Sequence, residues 1–130
     1  MRILACYDGV NDPKKIMAVA KSHAKALNAH LYIFTATGHS PEIHQQKIKV
    51  LEEELQLYKK EMEDEGIECE THLLVRSLSP GEDLVEFARE NDINEIVIGV
   101  KQRSKIGKLI MGSTAQYVIL SAHCPVTSVK

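Results

Sequence analysis

The chain has 130 residues, of which 44% are hydrophobic and 26% are charged, and its formal net charge at pH 7 is −2. A chain of this length and composition is expected to form one domain, residues 1–130, around a hydrophobic core of its own. No apolar run approaches the ~18 residues of a membrane helix, and the first residues lack the pattern of a signal peptide. We therefore expect a cytoplasmic protein without a membrane partner.

The charges are unevenly distributed along the chain. Residues 1–99 hold all 18 acidic and 11 of the 16 basic residues, a formal charge of −7, whereas residues 100–130 carry +5. A near-neutral protein with one cationic segment indicates a small anionic ligand. The aromatic content is 5% and there is no Trp, which disfavours a nucleic-acid partner bound through base stacking.

The cysteines and histidines are scattered and show no CxxC spacing. This argues against a disulfide framework and against a zinc site, so no metal ligands are predicted. Cys6, Cys69 and Cys124 are expected to pack in the core.

The first half of the chain alternates strand and helix patterns. The run RILACY at residues 2–7 predicts a strand buried on both faces, and Asp12-Pro13 predicts the N-cap and first residue of a helix. HLYIFTA predicts a second buried strand, and Ser40-Pro41 begins a long helix that ends near Gly66. The predicted buried stripe of this helix is Ile48, Leu51, Leu55, Tyr58 and Met62.

The second half continues the alternation. ECETHLLV alternates polar and apolar residues, which is typical of an edge strand, and EIVIGV predicts a short buried strand. Two capping boxes, Ser79 to Glu82 and Ser113 to Gln116, predict helix starts, the second helix running to about Ala122. CPVTSV is the final strand, and its proline favours an edge.

The order βαβαβαβαβ predicts an α/β fold with an open, doubly wound, five-stranded parallel sheet and helices on both faces. Ligands of such sheets bind beyond the carboxyl ends of the strands, where the strand order reverses.

One stretch in this region, GVKQRSKIGKLIMGST at residues 99–114, contains four cations and no acid. Gly99 ends a predicted strand and Gly112 precedes a helix, where glycine permits close approach to a ligand and positive φ angles. A helix N-terminus favours phosphate, and the Ser113 hydroxyl can add a donor or simply cap the helix. A solvated loop remains the alternative. Neither a Walker A loop nor GxGxxG is present.

These residues resemble the universal stress protein family over the whole chain. The resemblance rests on Tyr7-Asp8-Gly9, on Ser79-Pro80 with Leu84 and Ala88, and on the ending His123-Cys124-Pro125-Val126. It rests above all on the family's nucleotide motif, which is Gly, two residues, Gly, nine residues, Gly-Ser/Thr. This chain has Gly99, Gln102 and Gly112-Ser113 at that spacing, so the second glycine is replaced, and Leu78 stands where many members have glycine.

The resemblance implies the strand order 3-2-1-4-5 and places the chain near the ATP-binding subgroup. Asp8 is then expected near the adenosine or its metal, or it is a plain turn residue, and Ala36 is expected to offer its backbone to the adenine. The cofactor implied is ATP, or AMP or ADP, with or without Mg²⁺. The remaining implied nucleotide-binding residues are Gly99, Lys101, Gln102, Gly112, Ser113 and Thr114.

The function implied is that of a homodimeric, nucleotide-dependent regulator of a stress response, with the dimer formed through the last strand. The alternative is a nucleotide-free dimeric scaffold of the same fold. No nucleophile and base form a recognisable catalytic arrangement, so we expect no catalytic residues and at most slow, incidental ATP hydrolysis.

Overall fold

The computed structural model describes residues 1–7, 12–37, 45–75, 77–103, 107 and 109–130. The strands of the main sheet are β1 (Arg2–Tyr7), β2 (His30–Ala36), β3 (Cys69–Leu74), β4 (Glu95–Gly99) and β7 (Val126–Val129). Two short strands, β5 (Lys101–Arg103) and β6 (Leu109–Met111), lie between β4 and the last helix. The helices are α1 (Pro13–Leu27), α2 (Gln45–Asp64), α3 (Pro80–Glu90) and α4 (Ser113–Ser121).

The main sheet has the order β3-β2-β1-β4-β7, and all its strand pairs are parallel. The predicted fold and the order 3-2-1-4-5 are therefore confirmed, with β7 as the fifth strand. The predicted edge strands are also confirmed, because β3 and β7 are the outermost strands. β5 and β6 were not predicted, and they form a separate antiparallel pair.

The core has two layers, one on each face of the sheet, because successive side chains of a strand point to opposite faces. Ile3, Ala5 and Tyr7 of β1 pack in one layer with α1 and α2, whereas Leu4 and Cys6 pack in the other with α3 and α4. The strand is buried on both faces, as RILACY predicts. Helices cover both faces, so the accessible parts of the sheet are its strand ends and the outer edges of β3 and β7.

Three helix starts predicted from capping residues, those of α1, α3 and α4, are confirmed to within one residue, but the side-chain cap forms in α1 and not in α3 or α4. Asp12 caps α1 as predicted, since its Oδ1 accepts a hydrogen bond of 3.0 Å from the backbone N–H of Lys14. Ser79 precedes α3 but makes no side-chain cap hydrogen bond, so the first capping box is absent. The second is absent because Ser113 is already helical and Gly112 is the N-cap.

The long helix α2 ends at Asp64, two residues before Gly66, whose φ of +82° is the left-handed conformation that terminates helices. Leu55 and Met62 of the predicted stripe are buried, and Tyr58 packs against them. Ion pairs attach this helix to α1. Lys21 Nζ lies 2.6 Å from Glu61 Oε1 and 2.7 Å from Glu65 Oε2.

Candidate nucleotide site at the strand-order reversal

The strand order reverses at β1, and the last residues of its neighbours β2 and β4 flank the end of β1. The β1–β2 ladder ends at the pair Tyr7–Thr35, so Ala36 lies one residue beyond it. The β1–β4 ladder ends at Cys6–Ile98, so Gly99 likewise lies one residue beyond. The structure thus brings two of the predicted site residues, Ala36 and Gly99, to opposite sides of the same strand end.

The backbone carbonyl of Ala36 is directed toward β1. The N–H of Thr37 donates to the carbonyl of Leu74 at 2.8 Å, which lies on the β3 side of the strand. In a trans peptide the C=O points opposite to the N–H of the next residue, and the described residues contain no cis peptide bond. The Ala36 oxygen therefore points away from β3, over the end of β1.

The same geometry applies to Gly99 from the other side. The N–H of Val100 donates to the carbonyl of Val129 in β7 at 3.0 Å, so the Gly99 carbonyl points away from β7 and toward β1. Two hydrogen-bond acceptors, one from each neighbouring strand, consequently converge on the place where the strand order reverses.

In the cationic stretch after Gly99, the described strands β5 and β6 pair with each other. Lys101 pairs with Met111 and Gln102 pairs with Ile110 in an antiparallel ladder. The pairing matters for the site because it holds Gly112, which follows Met111, beside the residues that leave β4.

Gly112 begins α4 with φ −67° and ψ 154°, an extended conformation open to any residue. The expectation that positive φ explains the glycines of this stretch is wrong for Gly99 and Gly112, because Gly66 and Gly107 are the glycines with positive φ in the described ranges. What Gly112 lacks is a side chain that could accept from the first N–H groups of α4. The helix start is therefore open to an external acceptor.

The N-terminus of α4 presents Ser113 and Thr114 as its first two residues. Ser113 is exposed and Thr114 is half-buried. Both backbone N–H groups belong to the first turn, where no intrahelical acceptor exists and the helix dipole favours an anion. The predicted residues of this segment thus lie at a helix N-terminus that adjoins the end of β4.

Asp8 lies outside the described residues, as do Lys105 and Lys108 of the cationic stretch. The structure defines the backbone positions of Lys101 and Gln102, because both residues pair with β6. Five of the predicted site residues therefore lie at the carboxyl edge of the sheet or at the helix start beside it: Ala36, Gly99, Gly112, Ser113 and Thr114. Lys101 and Gln102, in β5, connect Gly99 to this region. The predicted role of Asp8 stays a prediction.

The end of β1 is held firmly below this edge. The Thr35 hydroxyl, in a residue that is 2% exposed, donates to the carbonyl of Tyr7 at 2.8 Å. Burial, followed by the neighbouring carboxylate of Glu54, raises the pKa of the Tyr7 phenol. Tyr7 consequently stays neutral, and its ring packs edge-on against Tyr58 at a centroid distance of 6.0 Å. The end of β1 is thus fixed to β2 by a buried side-chain hydrogen bond.

Three polar residues beside the site were missed by the sequence analysis. Thr37 and Ser77 are buried, and the backbone N–H of Ser77 donates to the carbonyl of Thr37 at 3.2 Å. The Ser77 hydroxyl donates to Asp83 Oδ2 at 2.6 Å. No short motif joins these positions, because the contact connects two strand ends with the first turn of α3.

A second polar cluster lies in the contact between α1, β4 and β7. His23 Nδ1 lies 3.0 Å from both carboxylate oxygens of Glu95, and the Thr127 hydroxyl donates to Glu95 Oε2 at 2.6 Å. The hydroxyl hydrogen bonds to the carboxylate and not to the imidazole, so this cluster does not activate Thr127 as a nucleophile. It connects the helix to the edge strand.

The three cysteines are free thiols. Cys6 and Cys69 are buried as predicted, while Cys124 is half-buried, and burial is the main reason that the pKa of each thiol is raised. Within the described ranges, no group of three or more His, Cys, Asp or Glu residues is arranged to hold a metal ion. None of the helices in that part of the chain is long and apolar enough to cross a membrane.

Known proteins resemble this chain over its whole length. The sequence profile of the universal stress protein family matches residues 1–130. A universal stress protein of Thermus aquaticus is 31% identical over 134 residues, which cover 98% of this chain and 97% of that protein. A shorter match, to a universal stress protein of Methanocaldococcus jannaschii, is 35% identical over 79 residues and covers 61% of this chain but 45% of that protein.

Two solved structures from Archaeoglobus fulgidus share the whole fold. One universal stress protein superposes with a TM-score of 0.84 at 35% identity, covering 100% of this chain and 98% of that chain. Another, solved in complex with dAMP, superposes with a TM-score of 0.77 at 30% identity and the same coverage. Since the family profile spans the entire sequence and close structural relatives share its fold, the chain belongs to the universal stress protein family.

Proposed function

We propose that this protein is a single domain that binds an adenine nucleotide, with ATP as the main ligand. The bound nucleotide regulates the interaction with a partner protein in a stress response. One observation carries the proposal. Two carbonyl acceptors, from Ala36 and Gly99, converge beside an open helix N-terminus at the sheet's order reversal. A relative 30% identical over the full chain was solved with dAMP, which is an adenine nucleotide.

The chemistry of the ligand matches the two ends of the site. The exocyclic amino group of adenine is a hydrogen-bond donor, which suits the Ala36 carbonyl, and the phosphates are anions, which suit the N–H groups of Ser113 and Thr114. Asp8 is proposed to contact the ribose or a bound Mg²⁺. Lys101 and Gln102 are proposed to lie along the phosphates, where the cationic segment raises the local potential.

Two features favour the second candidate, a nucleotide-free scaffold of the same fold. Gln102 replaces the second glycine of the family motif, and it is paired with Ile110 of β6. Hydrolysis has less support than either. His23, Glu95 and Thr127 form no activated nucleophile, so turnover is expected to be slow and incidental to binding.

The protein is further proposed to form a homodimer in the cytoplasm through β7. This strand is at the sheet's edge, and natural proteins rarely leave such an edge uncovered. Residues 109–129 contain no Asp, Glu, Lys or Arg. In the same segment, Ile119 and Leu120 of α4 are 38% and 85% exposed, an apolar surface that suits a second copy of the chain.

The decisive experiment has two parts. Mass spectrometry of the small molecules released when the purified protein is denatured is expected to reveal an adenine nucleotide. Isothermal titration with ATP, AMP and GTP, each with and without Mg²⁺, is expected to show binding of the adenine nucleotides and much weaker binding of GTP. A protein that releases no nucleotide and binds none at millimolar concentration would be the scaffold.

A further inference from the structure

A buried serine connects the start of α3 to the loop that follows β3. Ser77 is 7% exposed, and its hydroxyl donates to Asp83 Oδ2 at 2.6 Å. Asp83 lies in the first turn of α3, where its backbone N–H donates to the carbonyl of Ser79 at 3.0 Å. A hydrogen bond to a carboxylate is stronger than a neutral one, so Ser77 is anchored to the rigid helix start.

Ser77 in turn holds the end of β2. The β2–β3 ladder ends at the pair Ala36–Leu74, and the chain beyond it is held by two backbone hydrogen bonds of Thr37. The Thr37 N–H donates to Leu74 at 2.8 Å, and the Thr37 carbonyl accepts from the Ser77 N–H at 3.2 Å. The Thr37 N–H shares a peptide plane with the Ala36 carbonyl, so its bond to Leu74 sets where that carbonyl points. The bond from Ser77 fixes the next peptide plane along the chain and so holds Thr37 from its other side.

We infer that Ser77 and Asp83 are positioning residues for recognition of the 6-amino group of adenine. The inference rests on the proposed nucleotide binding and assigns the base selectivity of that site. Hydrogen bonds weaken steeply as the donor–acceptor geometry departs from linearity, so a tilt of the Ala36 peptide weakens the contact with the amino group. The phosphate end, at α4, is not part of this network and keeps its affinity.

The test compares two ligands that differ in the amino group alone, AMP and purine riboside 5′-monophosphate. The wild-type protein is expected to prefer AMP by about fivefold, the effect of one neutral hydrogen bond. Ser77→Ala is expected to bring this ratio close to one while leaving the affinity for purine riboside 5′-monophosphate within about twofold of wild type. Asp83→Asn is expected to act in the same direction, and Ser77→Thr, which keeps the hydroxyl, is expected to retain the preference.

Ser79→Ala and Glu82→Gln are the matched controls, since they alter the same loop and the same helix turn outside the network. Both are expected to keep the wild-type ratio. An unchanged ratio in Ser77→Ala and Asp83→Asn, or an equal loss of affinity for both ligands, would overturn the positioning role and leave nucleotide binding intact. A wild-type protein that binds neither ligand would instead overturn the proposed function, and the inference with it.

Discussion

Gly81 of α3 lies directly against Tyr117 of α4. A Cβ atom placed on Gly81 would be 3.0 Å from Tyr117 Cδ1 and 3.2 Å from its Cβ. Because the second contact is to the first atom of the side chain, a rotation of the ring cannot relieve it. The absence of a side chain at position 81 thus sets the distance between the two helices, one of which begins at the candidate phosphate site.

Gly81→Ala is therefore expected to push α4 away from α3 and to destabilise the fold by about 1–3 kcal/mol, the usual cost of overpacking. Chemical denaturation measures this change. Combining Gly81→Ala with Tyr117→Gly removes every side-chain atom of the clash, including the Cβ, so the double variant is expected to lose less stability than the two single changes together. Strict additivity of the two effects would show that the contact does not set the helix distance.

Gly112→Val is expected to abolish nucleotide binding without unfolding the protein. The φ of −67° and ψ of 154° at Gly112 suit a β-branched residue, but the added side chain occupies the approach to the first N–H groups of α4. Isothermal titration measures the binding, and the melting temperature without ligand checks the fold. Retained affinity in a folded Gly112→Val protein would place the phosphates elsewhere.

Gln102→Gly restores the motif glycine and is expected to tighten ATP binding several-fold. The proposed function places this position along the phosphates, where glycine, which has no Cβ, leaves them more room than glutamine does. Titration of ATP into the variant and the wild type decides the sign. Weaker binding by the variant would show that the glutamine amide itself contacts the ligand.

Ser128→Pro is expected to convert the proposed dimer into a monomer. The Pro125 and Val129 carbonyls accept hydrogen bonds from the N–H groups of Ile96 and Val100 and therefore face β4. Because successive residues of a strand face opposite sides, the N–H groups of residues 126 and 128 point to the outer edge of the sheet. Proline at position 128 removes an outward donor and spares the ladder to β4. Light scattering measures the mass. Ser128→Ala is the control, and a proline variant that remains dimeric would exclude pairing through β7.

We expect the ion pairs between α1 and α2 to make a pH-dependent contribution to the free energy of unfolding. Hydrogen bonds from Lys21 and then Lys25 lower the pKa of Glu65, and hydrogen bonds to Glu61 and Glu65 raise the pKa of Lys21. The Glu65 contribution is therefore present above its ordinary pKa and is lost as the pH falls through the lowered value. The Lys21 contribution is present below its ordinary pKa and is lost as the pH rises through the raised value.

Lys21→Gln is accordingly expected to lower the melting temperature by roughly 1–4 °C at pH 7 and low salt. The difference from wild type should vanish below about pH 3, where Glu65 becomes protonated. Lys60→Gln is the control, because its partner Asp64 is 3.5 Å away and both side chains are largely exposed. If Lys21→Gln still lowers the melting temperature in strong acid, the loss of stability comes from lost packing of the lysine stem and not from the ion pairs.

The sequence predicts the sheet because its signals there are redundant. After a charged first residue, RILACY and EIVIGV are apolar throughout, which indicates strands covered on both faces. Asp12-Pro13 predicts a helix start, and the Asp12 side chain does cap α1 in the structure. The pair of β5 and β6 has no such signal, since each strand has three residues and cations interrupt any alternation. Its pairing is a backbone property that residue types do not reveal.

The capping boxes fail for a related reason. Ser113 to Gln116 has the residue types of a box, but α4 begins one residue earlier than the box requires, and the Gln116 side chain donates to the Met111 carbonyl at 3.3 Å instead. The Ser77–Asp83 contact is invisible to sequence because its distance depends on how α3 docks on the sheet. Local patterns therefore locate the site, while tertiary packing decides which atoms face it.

The two carbonyls that converge over β1 belong to the main chain, and this has an evolutionary consequence. No single substitution at Ala36 or Gly99 can delete an acceptor oxygen, since every residue type carries one. Such a recognition element is inherited with the strand register rather than with residue identity, so it tolerates drift that would erase a site made of side chains.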